Sequence, residues 1–198
     1  MKRSLPILAA VVWLGALSAG MGVLMDYDAR PGSPGAVPEE RTDAALAGRG
    51  ECIVFLHPKC PCARDTLILL SRRELRDQEA VRIRIVFTGL ADADEEWWSG
   101  RNRDLAMLVP GADLERDAGG DLARRYGVRT SGHTLVFAAD GSLRFSGGIG
   151  ARPDRAGPPF DPDAVLRGSA EAPRVRPVRG CPLFDDRISA ARPKPPSP

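Results

Sequence analysis

Residues Glu51 to Leu70 read ECIVFLHPKCPCARDTLILL, and the rest of the chain takes its meaning from them. Cys52-Ile53-Val54-Phe55-Leu56 is a short, wholly apolar run, the pattern of a strand covered on both faces. His57-Pro58-Lys59 breaks it. Cys60-Pro61-Cys62 then opens a segment in which Leu67, Leu69, Leu70 and Leu75 are separated by charge, as in an amphipathic helix. Two cysteines on a strand-to-helix turn point to redox or soft-metal chemistry.

Side chains two residues apart do not face each other on a helix. Proline favours the first helical position and disfavours helical geometry in the residue before it. The reading is therefore Cys60 as N-cap, Pro61 as the first helical residue and Cys62 as the second. An N-cap sulfur would accept hydrogen bonds from the N–H groups of Cys62 and Ala63 and sit at the positive end of the helix dipole. Lys59 adds a nearby charge, with His57 and Pro61 completing the surroundings. These terms make Cys60 the expected low-pKa nucleophile and Cys62 the more buried, resolving thiol. A disulfide between them would close a small, strained ring and be easily reduced.

Downstream, Val81–Thr88 alternates apolar and basic residues and reads as a strand. Ala91–Met107 reads as one helix with acids at its start, and Gly111–Glu115 as a short strand. Gly119–Tyr126 is a helix ended by Gly127. Thr134–Ala138 and Ser142–Ser146 form a hairpin across Ala139-Asp140-Gly141, and Asp161–Arg167 is a last helix. The order β-α-β-α-β-α-β-β-α implies an α/β sandwich with a mixed sheet.

Upstream, Met1-Lys2-Arg3 precedes an uncharged 21-residue run, Leu5–Met25, long enough for a membrane span. Basic residues before it and Asp26 and Asp28 after it place the N-terminus in the cytoplasm. The alternative is a leader cleaved near Ser18-Ala19-Gly20. Either way the remaining chain lies outside the cytoplasm, where disulfides persist. The expected organisation is residues 1–25 as anchor or signal segment, 26–48 as a flexible linker with one short helix over Glu39–Gly48, 49–168 as the folded domain, and 169–198 as an extended or disordered Pro/Arg-rich tail containing Cys181.

Lys plus Arg total 28 against 26 acids, a net charge of +2 with the basic residues scattered, which argues against a nucleic-acid partner. Four cysteines allow three pairings. Cys52 reads as a small buried hydrophobe, and Cys181 as its disulfide partner, a third redox thiol or a single thiol.

The strand–cysteines–helix unit, Tyr126-Gly127-Val128-Arg129 before the hairpin, and Leu135-Val136-Phe137 with Asp140-Gly141-Ser142 together resemble the thioredoxin fold, a three-layer α/β sandwich, over residues 49–168. His57-Pro58-Lys59-Cys60-Pro61-Cys62 with Ser131-Gly132-His133-Thr134 and Phe145-Ser146-Gly147-Gly148 is similar to RedB-type bacterial proteins of that superfamily. The resemblance implies a membrane-tethered extracytoplasmic thiol–disulfide oxidoreductase without a cofactor, acting on protein thiols or disulfides or taking electrons from a membrane donor. Its cysteines have one residue between them where thioredoxins have two, and Gly132-His133 stands where a thioredoxin carries a cis-proline. In that loop His133 is expected to face the cysteines, as a base for Cys60 or Cys62. His133 before an apolar strand also resembles the histidine site of Sco-type copper chaperones, which gives an alternative expectation of a copper carrier using Cys60, Cys62 and His133.

Overall fold

The structure, a computed structural model, describes residues 4–29, 32, 35–39, 49–72, 81–150, 160–167 and 174–184. It divides into two units, Met1–Pro31 and Gly32–Pro198. The first is helix α1, Ser4–Ala29. By length and composition its Ala9–Asp26 portion could cross a membrane, a test that a signal sequence near an N-terminus also passes.

The second unit is built on five strands: β1 (Gly50–Leu56), β2 (Val81–Gly89), β3 (Ala112–Ala118), β4 (His133–Phe137) and β5 (Leu143–Gly148). Their spatial order is β3-β2-β1-β4-β5. β1, β2 and β3 are parallel, and β4 and β5 return antiparallel. The helices are α2 (Ala63–Ser71), α3 (Glu95–Trp98), α4 (Arg101–Met107), α5 (Asp121–Arg125) and α6 (Pro162–Leu166). Residues 40–48 of the helix expected over Glu39–Gly48, and the end of α2 beyond Arg72, lie outside the described residues.

Strand alternation divides the core in two. Cys52, Val54 and Leu56 of β1 join Ile83, Ile85, Val136 and the apolar sides of α2 and α4 in one cluster. Ile53 and Phe55 face the other way, with Leu135, Phe137, Ala123, Tyr126 and Val128. Each of the large apolar side chains among these contributes roughly 1.5–3 kcal/mol by burial. The basic residues of β2 find their acids on β3: Arg82 Nε donates to Asp113 at 2.7 Å and Arg84 Nε to Glu115 at 2.6 Å, each diagonal to the register, in which Arg84 stands beside Asp113 and Val86 beside Glu115. The Arg82–Asp113 pair is exposed and contributes little to stability, whereas Arg84 is largely covered.

Two expectations change. The single helix over residues 91–107 is two helices, parted at Ser99-Gly100. Gly100 has φ of 118°, a conformation that non-glycine residues avoid. At its other end α3 starts later than expected, capped by Asp94, whose carboxylate accepts from Trp97 N–H at 2.8 Å. The second change is the tail. Residues 174–184 are extended, as composition suggested, but they are bonded to the domain. Val175 bridges Ser146 and Pro182 bridges Thr130. Leu183 N–H donates to the Arg129 carbonyl at 2.9 Å, and its side chain is 6% exposed in the second cluster. Part of the linker is held as well: Gly32 N–H donates to the Val178 carbonyl at 2.8 Å, and Glu39 accepts from Leu143 N–H at 2.8 Å.

Candidate active site

The site forms where β1 ends. His57, Pro58 and Lys59 make the turn, and Cys60 closes it with an N–H bond to the His57 carbonyl at 3.0 Å. Ala63 N–H then bonds to the Cys60 carbonyl at 3.3 Å and Arg64 N–H to the Pro61 carbonyl at 3.4 Å, a tight first turn that leads into α2. The regular helix starts two residues later than expected, with Cys62 in the N-cap place and no side-chain cap. Cys60 is outside the helix, so the objection to two helical cysteines does not apply. Asn102, buried on α4, holds the turn by donating from Nδ2 to the carbonyls of Pro58 (2.9 Å) and Cys60 (2.8 Å).

The loop before β4 closes over this turn. Gly132 N–H donates to the Phe55 carbonyl at 2.8 Å, and Ser131 is buried at the end of β1. Ser131 Oγ accepts from His57 N–H at 2.9 Å, which leaves its own proton to be directed at Cys60. Ser131 N–H donates to the Cys181 carbonyl at 2.9 Å, so the C-terminal arm runs beside the loop like one more strand and brings Cys181 against Cys60.

Cys60 is fully buried. Burial pushes its thiol up, but the Cys181 backbone, the Ser131 hydroxyl, the Cys181 thiol and the Cys62 backbone all hydrogen-bond to its sulfur, and the net shift is downward. Cys181 moves the other way, to about 12, through burial, the hydrogen bond it makes to Cys60 and the charges of Cys60 and Cys62. The charge therefore rests on Cys60 and the proton on Cys181. Beside them is a cleft of about 210 Å³ lined by Pro61, Cys62, Asp65, Thr66, Gly132 and Arg179 among others.

No family model matches the chain, and no curated protein matches it. Solved structures do. A hypothetical protein from Sinorhizobium meliloti 1021 is 16% identical, with a TM-score of 0.55 over 75% of this chain and 93% of that one. An uncharacterized conserved protein from Geobacillus kaustophilus is 18% identical, with a TM-score of 0.52 over 76% of this chain and 80% of that one. A thioredoxin-like protein from Aeropyrum pernix is 14% identical, with a TM-score of 0.42 over 69% of this chain and 91% of that one. The sheet order β3-β2-β1-β4-β5, three parallel strands followed by an antiparallel hairpin with the cysteine turn at the end of β1, is a thioredoxin-like fold. At these identities the likeness is one of fold.

Within this thioredoxin-like frame several sequence expectations need correction. Cys62, expected to be the buried thiol, is the partly exposed one that lines the cleft, while Cys60 is covered. Lys59 does not add charge at the sulfur. Its Nζ donates to the carbonyls of Glu96 (3.0 Å) and Ser99 (3.1 Å) at the end of α3. His57 shapes the turn: its Nδ1 accepts from Lys59 N–H at 3.2 Å, its ring meets Trp97 edge-on at 5.2 Å, and burial holds its pKa below the ordinary value.

His133 does not face the cysteines. It pairs with Phe55 and shares the parity of Leu135 and Phe137, which places it on the sheet face opposite α2. It is 1% exposed, its Nε2 lies 2.8 Å from Ser146 Oγ, and its Nδ1 has no hydrogen-bond partner. Burial lowers its pKa to about 4, so it is neutral at physiological pH. Among the described residues no group of three His, Cys, Asp or Glu side chains is placed to hold a metal ion, and His133 stands on the sheet face away from the cluster that contains Cys60 and Cys62. A Cys52–Cys181 disulfide is not formed either. Cys52 is in the core of β1 between Ile83 and Val136, and Cys181 sits against Cys60.

Ser131, Asn102 and the docking of Cys181 are what the sequence left unassigned. Serine, asparagine and a distant cysteine carry no local pattern that would single them out.

Proposed function

We propose that the chain is a thiol–disulfide oxidoreductase, tethered by α1 in the inner membrane of a bacterium with its domain on the extracytoplasmic side. Its partners would be protein thiols or disulfides, or a membrane electron donor. One observation carries this reading: four donors converge on the Cys60 sulfur and hold its charge against burial, while Cys62 beside it lines an open cleft. The roles follow from that asymmetry. A partner thiolate attacks Cys62 Sγ of the Cys60–Cys62 disulfide, a mixed disulfide forms on Cys62, and Cys60 leaves as the stabilised thiolate. A second partner thiolate then releases Cys62. Stabilising the leaving thiolate stabilises the reduced form, which makes the pair oxidising. The reverse sequence reduces a partner disulfide. Membrane tethering is supported by the Lys2-Arg3 charge before the apolar helix and the acids after it.

The test uses the reduced full chain in detergent with oxidised glutathione. The expected result is rapid release of about two glutathione thiols per chain, with Cys62→Ser slowing the first release about 100-fold. An unchanged first release in Cys62→Ser would remove Cys62 from its role, and no release from the parent chain would remove the function.

A further inference from the structure

The C-terminal arm is placed as a working part of the site. Ser131, which bonds to Cys60, also bonds through its backbone to Cys181 at 2.9 Å. Pro182 bridges Thr130, and Leu183 is bonded to Arg129 and buried in the core, so Cys181 is anchored directly on its C-terminal side. On the other side Gly180 packs so closely on the Ser131 carbonyl that a Cβ there would stand 2.1 Å from its oxygen. Cys60 and Cys62 belong to the same packed cluster as Cys181. Bringing the Cys181 sulfur to bonding distance of Cys60 therefore requires side-chain rotation rather than refolding.

We propose that Cys181 is the third redox cysteine of this site, and that the resting oxidised state is a Cys60–Cys181 disulfide which locks the 174–184 arm over Cys60. The inference rests on the thiol–disulfide reading above. A disulfide R–S–S–R′ is the oxidant. Cys62 attacks one of its sulfurs as a thiolate, a Cys62–S–S–R bond forms and R′S⁻ leaves. The Cys60 thiolate attacks Cys62 Sγ, the Cys60–Cys62 bond forms and RS⁻ leaves. Cys181 gives up its proton and attacks Cys60 Sγ. The Cys60–Cys62 bond breaks, the Cys60–Cys181 bond forms, and Cys62 is again a thiol. Two electrons pass to R–S–S–R′, and the proton released by Cys181, together with protons taken up from solvent, leaves RSH, R′SH and the Cys62 thiol. The last step exchanges a small ring closed across one residue for a bridge between two preplaced segments, which drives the relay forward. Cys62 is left reduced in the cleft, ready for a further partner.

The reduced full chain is treated with one equivalent of oxidised glutathione, alkylated, digested and analysed by mass spectrometry. The expected dominant species is a cross-linked peptide pair joining Cys60 to Cys181, with Cys62 alkylated. In Cys181→Ser the product stops at Cys60–Cys62, and reduced glutathione reopens it about tenfold faster than it reopens the parent's bridge. A parent product that is Cys60–Cys62 with Cys181 alkylated overturns the relay and leaves the exchange function standing. All four cysteines alkylated, with no glutathione thiol released, removes both.

Discussion

Cys60→Ser is expected to lower turnover of oxidised glutathione by at least about 100-fold and to leave the chain as a stable mixed disulfide on Cys62. Cys62, in the cleft, still meets the substrate and captures one half of it. What is lost is the neighbouring thiolate that completes the exchange, and with it the group for which Ser131, Cys181 and the Cys62 backbone are arranged. The Cys181 thiol lies against residue 60, and its attack in the relay is on Cys60 Sγ, an atom this variant lacks. The readout is twofold: turnover with the reduced full chain, and intact mass after one addition of substrate. A single glutathione adduct mapped to Cys62 is the expected product. Turnover within about threefold of the parent would show that Cys60 is not the completing thiolate. The thiolate absorbance of the reduced protein should also fall, since Cys60 is the cysteine whose charge the site favours.

The second large effect is on stability in acid. His133 has an ordinary pKa of 6.5 and is lowered to about 4 in the fold by burial. Between those values the unfolded chain takes up a proton at this residue and the native state does not. Stability is therefore whole above 6.5 and is lost as pH falls toward 4, by about 3 kcal/mol at 1.36 kcal/mol per unit. His57 is also lowered by burial and acts in the same direction. The readout is accordingly the difference between parent and His133→Gln in denaturant midpoint across that range. His133→Gln should remove most of the slope while keeping a polar group near Ser146. An equal slope in both proteins would mean that His133 is protonated in the native state.

The same residue shows where sequence reading succeeds and where it stops. The apolar run of β1, the prolines of the turn and the charges on α2 are local signals, and they fixed the thioredoxin-like arrangement and the place of the cysteine pair. His133 reads as the end of the loop before the hairpin, whereas it is the first residue of β4, and its direction depends on parity. A shift of one residue turns a side chain from one face of a sheet to the other. Thr134 takes the face toward α2, and His133 takes the far one. Gly100 was visible as a glycine, but nothing in its neighbours required a break in the helix. The arm was furthest from legibility. Its composition is that of an unstructured tail, and a contact between Cys181 and Cys60 spans most of the domain, so no local window contains it. What decides its place is backbone pairing with the 129–131 loop and β5, which depends on the finished sheet.

That pairing has another consequence. β5 is an outer strand of the sheet, and such a strand offers its free backbone groups to any other chain. Here Ser146 gives its N–H to the Arg174 carbonyl at 3.0 Å and receives the Arg176 N–H at 2.9 Å. The arm thus covers part of that margin. A chain ended at Gly168, where composition alone would place the boundary, should self-associate at concentrations where the full domain stays monomeric, measurable by light scattering. The segment that delivers a sulfur to the active site also keeps one molecule's sheet from being continued by the next.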